Sequence, residues 1–129
     1  MHKFVDNGFP RLKAPISNTV NASGHIYTVQ IPRDPQTFVP SGEGDIQEQT
    51  HRVLRQLKLS MEAAGGSLAD VAQVLIYLVN SSDAAGMNQV YAQYFNAEPY
   101  PNRATVIVKD LLGEGHLIEI VVHGHVNNG

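Results

Sequence analysis

The chain has 129 residues, enough for one domain and too few for two with adequate cores. Hydrophobic residues make up 43% and charged ones 16%, and the net charge of −3, with Lys and Arg scattered, offers no basic stripe for nucleic acid. The absence of cysteine removes disulfides, thiolate nucleophiles and thiolate metal sites together.

No apolar core long enough for a signal peptide opens the chain, and the longest apolar run, Val74 to Val79, is far too short for a bilayer. A cytoplasmic protein with neither membrane nor nucleic acid as partner is expected. Met1 to Asn18, with Pro10 and Pro15, reads as extended arm and loop. Val20 to Ile31 reads as two strands joined by a tight turn at Ala22-Ser23-Gly24-His25. Pro32, Pro35 and Pro40 then punctuate an irregular loop.

Asp45 with Glu48 predicts a capping box opening a helix that runs to Ala64. Ile46, Val53, Leu54, Leu57, Met61 and Ala64 give it one apolar stripe, and Gly65-Gly66 stops it. The run Val74 to Val79 is apolar on both parities and reads as a central strand covered on both sides. Ser82 or Asp83 caps a second helix that buries Met87, Val90, Tyr91, Tyr94 and Phe95. Two final strands, Arg103 to Val108 and Leu117 to Val126, complete an α+β domain with both helices on one face of a sheet.

Alternation along a strand assigns faces. In the last strand Ile118, Ile120, Val122 and Val126 suit the helix-packed core, and Glu119, Val121, His123 and His125 share the other side. In the preceding strand Arg103, Thr105 and Ile107 share one side, and Ala104, Val106 and Val108 the other. A second sheet face that mixes apolar with specific polar groups reads as an oligomer interface.

Several ordered motifs then carry a family resemblance. They are Pro15-Ile16-Ser17-Asn18, Tyr27-Thr28-Val29-Gln30-Ile31-Pro32, Gln49, Ala63-Ala64-Gly65, Asn88-Gln89-Val90-Tyr91, Tyr94-Phe95, Pro101-Asn102-Arg103 and Ile118-Glu119-Ile120. In that order, over nearly the whole chain, the sequence resembles the RidA/YjgF family of enamine and imine deaminases. The resemblance implies a single chorismate-mutase-like domain spanning residues 1–129. It also implies a mixed six-stranded sheet with two helices on one face, and a homotrimer with clefts between chains. It further implies hydrolysis of 2-aminoacrylate, 2-iminopropanoate or 2-iminobutanoate to 2-keto acids and ammonia, without a cofactor or a metal. Arg103 would grip the substrate carboxylate and Glu119 would position or activate water. Thr105, Ile16, Thr28, Val29 and Asn88 would complete the binding site.

The chemistry of these side chains agrees. A guanidinium meets a carboxylate with a planar fork of donors and stays charged at physiological pH. A carboxylate in a partly dry cleft can move protons between water and a departing ammonia. The same two residues on facing strands would equally make a structural ion pair. Two motifs depart from the usual deaminase pattern. Ile16 stands where many members have tyrosine, and Thr28-Val29 where they have Ser-Gly, which narrows or reshapes the pocket. A deaminase of a longer, 2-aminomuconate-like enamine, or a non-catalytic carboxylate-binding or regulatory trimer, therefore stays open beside the small-imine reading. His123 and His125 point the same way but lack a ligand set beyond Glu119. His25, His51 and His116 read as turn or helix-surface residues.

Overall fold

The computed structural model describes residues 1–127. Its strands are β1 (Lys3–Phe4), β2 (Thr19–Ala22), β3 (His25–Gln30), β4 (Val71–Leu78), β5 (Asn102–Ile107) and β6 (Ile118–His125). Its helices are α1 (Ile46–Ala63) and α2 (Ala84–Tyr94), with short 3₁₀ turns at Leu68–Asp70 and Ser81–Asp83. All six strands form one sheet in the order β1-β2-β3-β6-β4-β5. β1, paired with β2 through Lys3 and Asn21, lies in the segment that pattern alone reads as loop; two residues are too few for a period to show.

Between β2 and β3, Ser23 and Gly24 both have positive φ, 53° and 96°. Two such residues make the primed turn that matches strand twist. A Cβ on Gly24 would lie 2.6 Å from the Val126 carbonyl oxygen. Gly24→Ala is expected to cost about 1–3 kcal/mol in urea denaturation, because both the φ and the packing resist it.

α1 starts where Asp45 Oδ1 accepts from the Glu48 N–H at 3.0 Å. Glu48 does not complete a capping box; a Cβ on Gly44 would meet its carboxylate at 2.5 Å, showing that the side chain folds over that glycine instead. The reciprocal box forms at Ser67 and Asp70, where the Ser67 N–H donates to Asp70 Oδ2 at 2.8 Å. α2 follows the 3₁₀ turn, with Asp83 at its N-cap but no capping bond from that side chain.

The core is one cluster between the helices and the sheet. Val53, Leu54, Leu57 and Met61 from α1 meet Ile26, Val74, Ile76, Leu78, Ile118, Ile120 and Val122 from the strands. Met87, Val90 and Phe95 close it from α2, while Tyr91 and Tyr94 are only partly buried against it. Within the chain β4 is covered on one side only. Val74, Ile76 and Leu78 are buried, whereas Gln73, Leu75 and Tyr77 are half-buried on the opposite face. Among the described residues that second face of the sheet carries no layer, so two-sided cover of β4 is not met inside one chain.

Candidate functional site

Strand register decides which side chains can share a ligand. β5 lies parallel to β4, with Val74 beside Arg103, Ile76 beside Thr105 and Leu78 beside Ile107. Side chains of such neighbours point the same way, so Arg103, Thr105 and Ile107 belong to the helix-covered face. In the antiparallel pair β4/β6, Tyr77 lies beside Glu119 and Leu75 beside Val121. Glu119 therefore belongs to the uncovered face. The chain holds this guanidinium and this carboxylate on opposite sides of one sheet.

On the helix side, β5 is the sheet's edge strand, and the exposed Arg103 places its guanidinium 4.7 Å from the centre of the Tyr91 ring. Burial raises the Tyr91 hydroxyl above its ordinary pKa, and the Arg103 charge works against that rise. No carboxylate lies within ion-pair distance of Arg103; among the described residues the ion pair is Lys58 with Glu62. Thr105 Oγ1 is buried with no hydrogen-bond partner. Asn88 is exposed one helical turn before Tyr91, on the same side of α2. An unpaired cation and an unpaired hydroxyl thus stand together at one edge.

On the uncovered side, Glu119 is half-buried, and desolvation raises its carboxyl above the usual carboxylate range. Nearby, Ser17, Tyr27, Val29 and Val121 line a shallow depression of about 180 Å³. Val29, 41% exposed, presents apolar surface there, and Ile16, 63% exposed, precedes the lining residue Ser17. Thr28 also borders that depression, but not through its hydroxyl. Its hydroxyl points into the core, 2.8 Å from Thr19 Oγ1 and accepting from Gln30 Nε2 at 2.8 Å. Gln30 also donates to Asn18 Oδ1 and Ser60 Oγ, each at 3.2 Å. The Asn18, Thr28 and Gln30 positions of the motifs therefore hold β2, β3 and α1 together.

Histidines are placed differently from the sequence reading. His25 is no bare turn residue: it shares a hydrogen bond of 3.0 Å with His123 and stacks on Tyr27 at 4.1 Å. His116 is buried, not a surface group, and burial with the nearby Arg33 charge lowers its pKa. No group of three or more His, Cys, Asp or Glu among the described residues is arranged to hold a metal. Among the described residues no helix is long and apolar enough to cross a membrane.

A single α+β layer pair, with an unpaired guanidinium at one edge and an uncovered sheet face, is the class that this geometry defines. The family model described as endoribonuclease L-PSP matches residues 10–126. A RutC family protein of Pyrococcus horikoshii is 43% identical over 112 residues, 84% of each chain. The 3-aminoacrylate deaminase RutC of Acinetobacter baylyi is 38% identical over 123 residues, 95% of each chain. The crystal structure of the Rid-family protein YyfA from Yersinia pestis superposes with a TM-score of 0.88 at 30% identity, over 98% of this chain and 100% of its own. The chain belongs to the Rid (RidA/YjgF, L-PSP) family. Its mixed six-stranded sheet with two helices is that family's fold.

Proposed function

We propose that this protein hydrolyses small enamine and imine acids, such as 2-aminoacrylate and 2-iminobutanoate, to 2-keto acids and ammonia, as a homotrimer. The observation that carries this reading is the opposition of Arg103 and Glu119 across the sheet. Neither residue neutralises the other within a chain, so they serve one ligand only where the edge of one copy meets the uncovered face of the next. Arg103 then grips the carboxylate with its planar fork, and the free Thr105 hydroxyl lies within the same edge. Glu119 of the neighbouring copy takes a proton from water as the oxygen attacks the C=N carbon. It passes that proton to nitrogen to give the carbinolamine, then takes the carbinolamine hydroxyl proton and delivers it to the amino group as the C–N bond breaks, leaving the 2-keto acid and ammonia; an enamine acid enters this sequence as its imine tautomer. The deaminase relative that is 38% identical supports chemistry of this type.

The test generates the imine with an amino-acid dehydratase or oxidase and follows its loss with a trapping agent. Acceleration over spontaneous hydrolysis is expected, and its absence would end the proposal. Glu119 must be ionised to accept the proton, so kcat/KM should rise with pH through its pKa. Because that pKa is raised by burial, the rising limb should lie above the ordinary glutamate value of about 4.3. In Glu119→Gln that limb should disappear and the rate should fall by about 10²–10⁴-fold. The apolar Ile16 and Val29 beside the open depression favour a second reading, a longer enamine acid. Rates on short and long enamine acids separate the two, since a preference for short ones counts against it.

A further inference from the structure

A second feature lies away from both halves of that site. The loop 32–40 and α1 enclose a cavity of about 260 Å³ lined by Phe9, Pro35, Phe38 and Leu59 together with Arg33, Arg52, Arg55, His51 and Tyr94. Three guanidiniums and an imidazole line it, and no carboxylate does. Arg33 is 7% exposed, and its Nε is buried without a partner. One arm of its fork is spent on the loop, with Nη1 donating to the Phe38 carbonyl at 3.0 Å. Burial lowers the Arg33 pKa, and the guanidinium depresses that of His116 in turn. This charge therefore acts on its surroundings without a counter-ion.

The neighbouring groups do not supply one. Arg52 Nη1 donates to Ser41 Oγ at 3.2 Å. Asp34, at the loop, offsets part of the Arg52 charge, with its Oδ1 accepting from the Gln36 and Thr37 N–H groups at 2.8 and 2.9 Å, but it makes no ion pair with Arg33 or Arg55. His51 Nδ1 and the Tyr94 hydroxyl are 3.1 Å apart and satisfy each other. The apolar wall is preformed. Phe9 and Phe38 stack at 4.4 Å, with Arg33 on Phe38 at 4.6 Å. Phe38 is held at φ 63°, a strained position for a bulky residue.

We propose that this cavity binds a small organic anion, a carboxylate or phosphonate on an apolar body about one ring in size. The anionic group supplies the counter-charge that the arginines lack, and the ring lies against Phe9, Phe38 and Leu59. The size follows from the volume, because a cavity of about 150 Å³ already accepts one benzene ring. The site shares no residue with Arg103, Thr105, Glu119, Ile16 or Val29, so its fate is independent of the deaminase reading.

The test titrates the full-length protein with benzoate and with phenylphosphonate, following arginine side-chain and backbone resonances by NMR. Benzyl alcohol and inorganic phosphate are the controls. In an Arg103→Ala background, which removes the carboxylate grip proposed above, saturable binding of at least one anion, about tenfold tighter than either control, is expected, with shifts confined to the cavity. Arg55→Ala should weaken it about tenfold, which corresponds to about 1.4 kcal/mol. Leu59→Trp, which fills the cavity, should abolish it. Both positions border solvent, so these variants test the site without removing the Arg33 tie to the loop. Imine hydrolysis should be unchanged in both. Equal binding of benzyl alcohol, equal binding of inorganic phosphate, or benzoate binding indifferent to Leu59→Trp would each overturn the proposal. So would occupancy by an oligoribonucleotide that benzoate cannot displace.

Discussion

Replacing Arg103 by alanine is expected to lower kcat/KM for a 2-imino acid by about 10²–10³-fold, the loss of about 3–4 kcal/mol that follows when a desolvated carboxylate loses its charged partner. The fold should hardly register the change. Arg103 is exposed on an edge strand, with its guanidinium over the Tyr91 ring. Such a contact contributes about 0.5–1 kcal/mol, so melting should move by no more than about 5 °C. Arg103→Lys separates charge from geometry: the ammonium keeps the attraction but loses the fork, and an intermediate rate is expected. Uncharged substrate analogues should not distinguish the variants. An undiminished rate in Arg103→Ala would show that this residue is a surface cation and nothing more.

How far that site could be read from sequence depends on the range of the interaction that sets each residue. α1 and the faces of β6 follow from local periods, and the structure buries Leu54, Leu57, Ile118, Ile120 and Val122 accordingly. The alternation of β5 was equally legible, and Arg103 does share a side with Thr105. Which side faces the helices was not, because it comes from parallel pairing with β4 across the intervening α2. No pattern within six residues of β5 encodes that register. Sequence reasoning therefore joined Arg103 and Glu119 but could not place a sheet between them. Thr28 illustrates the converse. Its motif marks it for a pocket, yet Thr19, Asn18 and Gln30, brought together over long separations, take its hydroxyl inward. Arg33 gave no signal either. A cation in a proline-rich loop reads as solvated, and its burial becomes evident only when α1 packs over it.

The same long-range logic makes Gln49 the polar side chain whose loss should cost the fold most. It is fully buried on α1, and its amide ties two loops to each other. Nε2 donates to the carbonyls of Gly42 and Gly44, each at 3.2 Å, and of Gly115 at 2.9 Å. Oε1 accepts from the Leu117 N–H at 2.8 Å. The loops touch so closely that a Cβ on Gly42 would overlap the Glu114 carbonyl, so no other side chain can enter to replace the amide. Gln49→Leu keeps the volume and removes every one of these bonds. Each unpaired backbone group costs about 1–3 kcal/mol when buried, and these are only partly buried, so a total near 3–5 kcal/mol is expected. That is a large share of a typical stability of about 5–15 kcal/mol, and melting should fall by about 10–20 °C. A loss below about 1 kcal/mol would mean that water takes over the amide's bonds. Leu117 lies two residues before Glu119, and the tie fixes where β6 begins. Gln49→Leu should therefore also lower imine hydrolysis well below its melting temperature, with the Glu119 pH limb displaced. Damage to stability alone would leave that limb where it is.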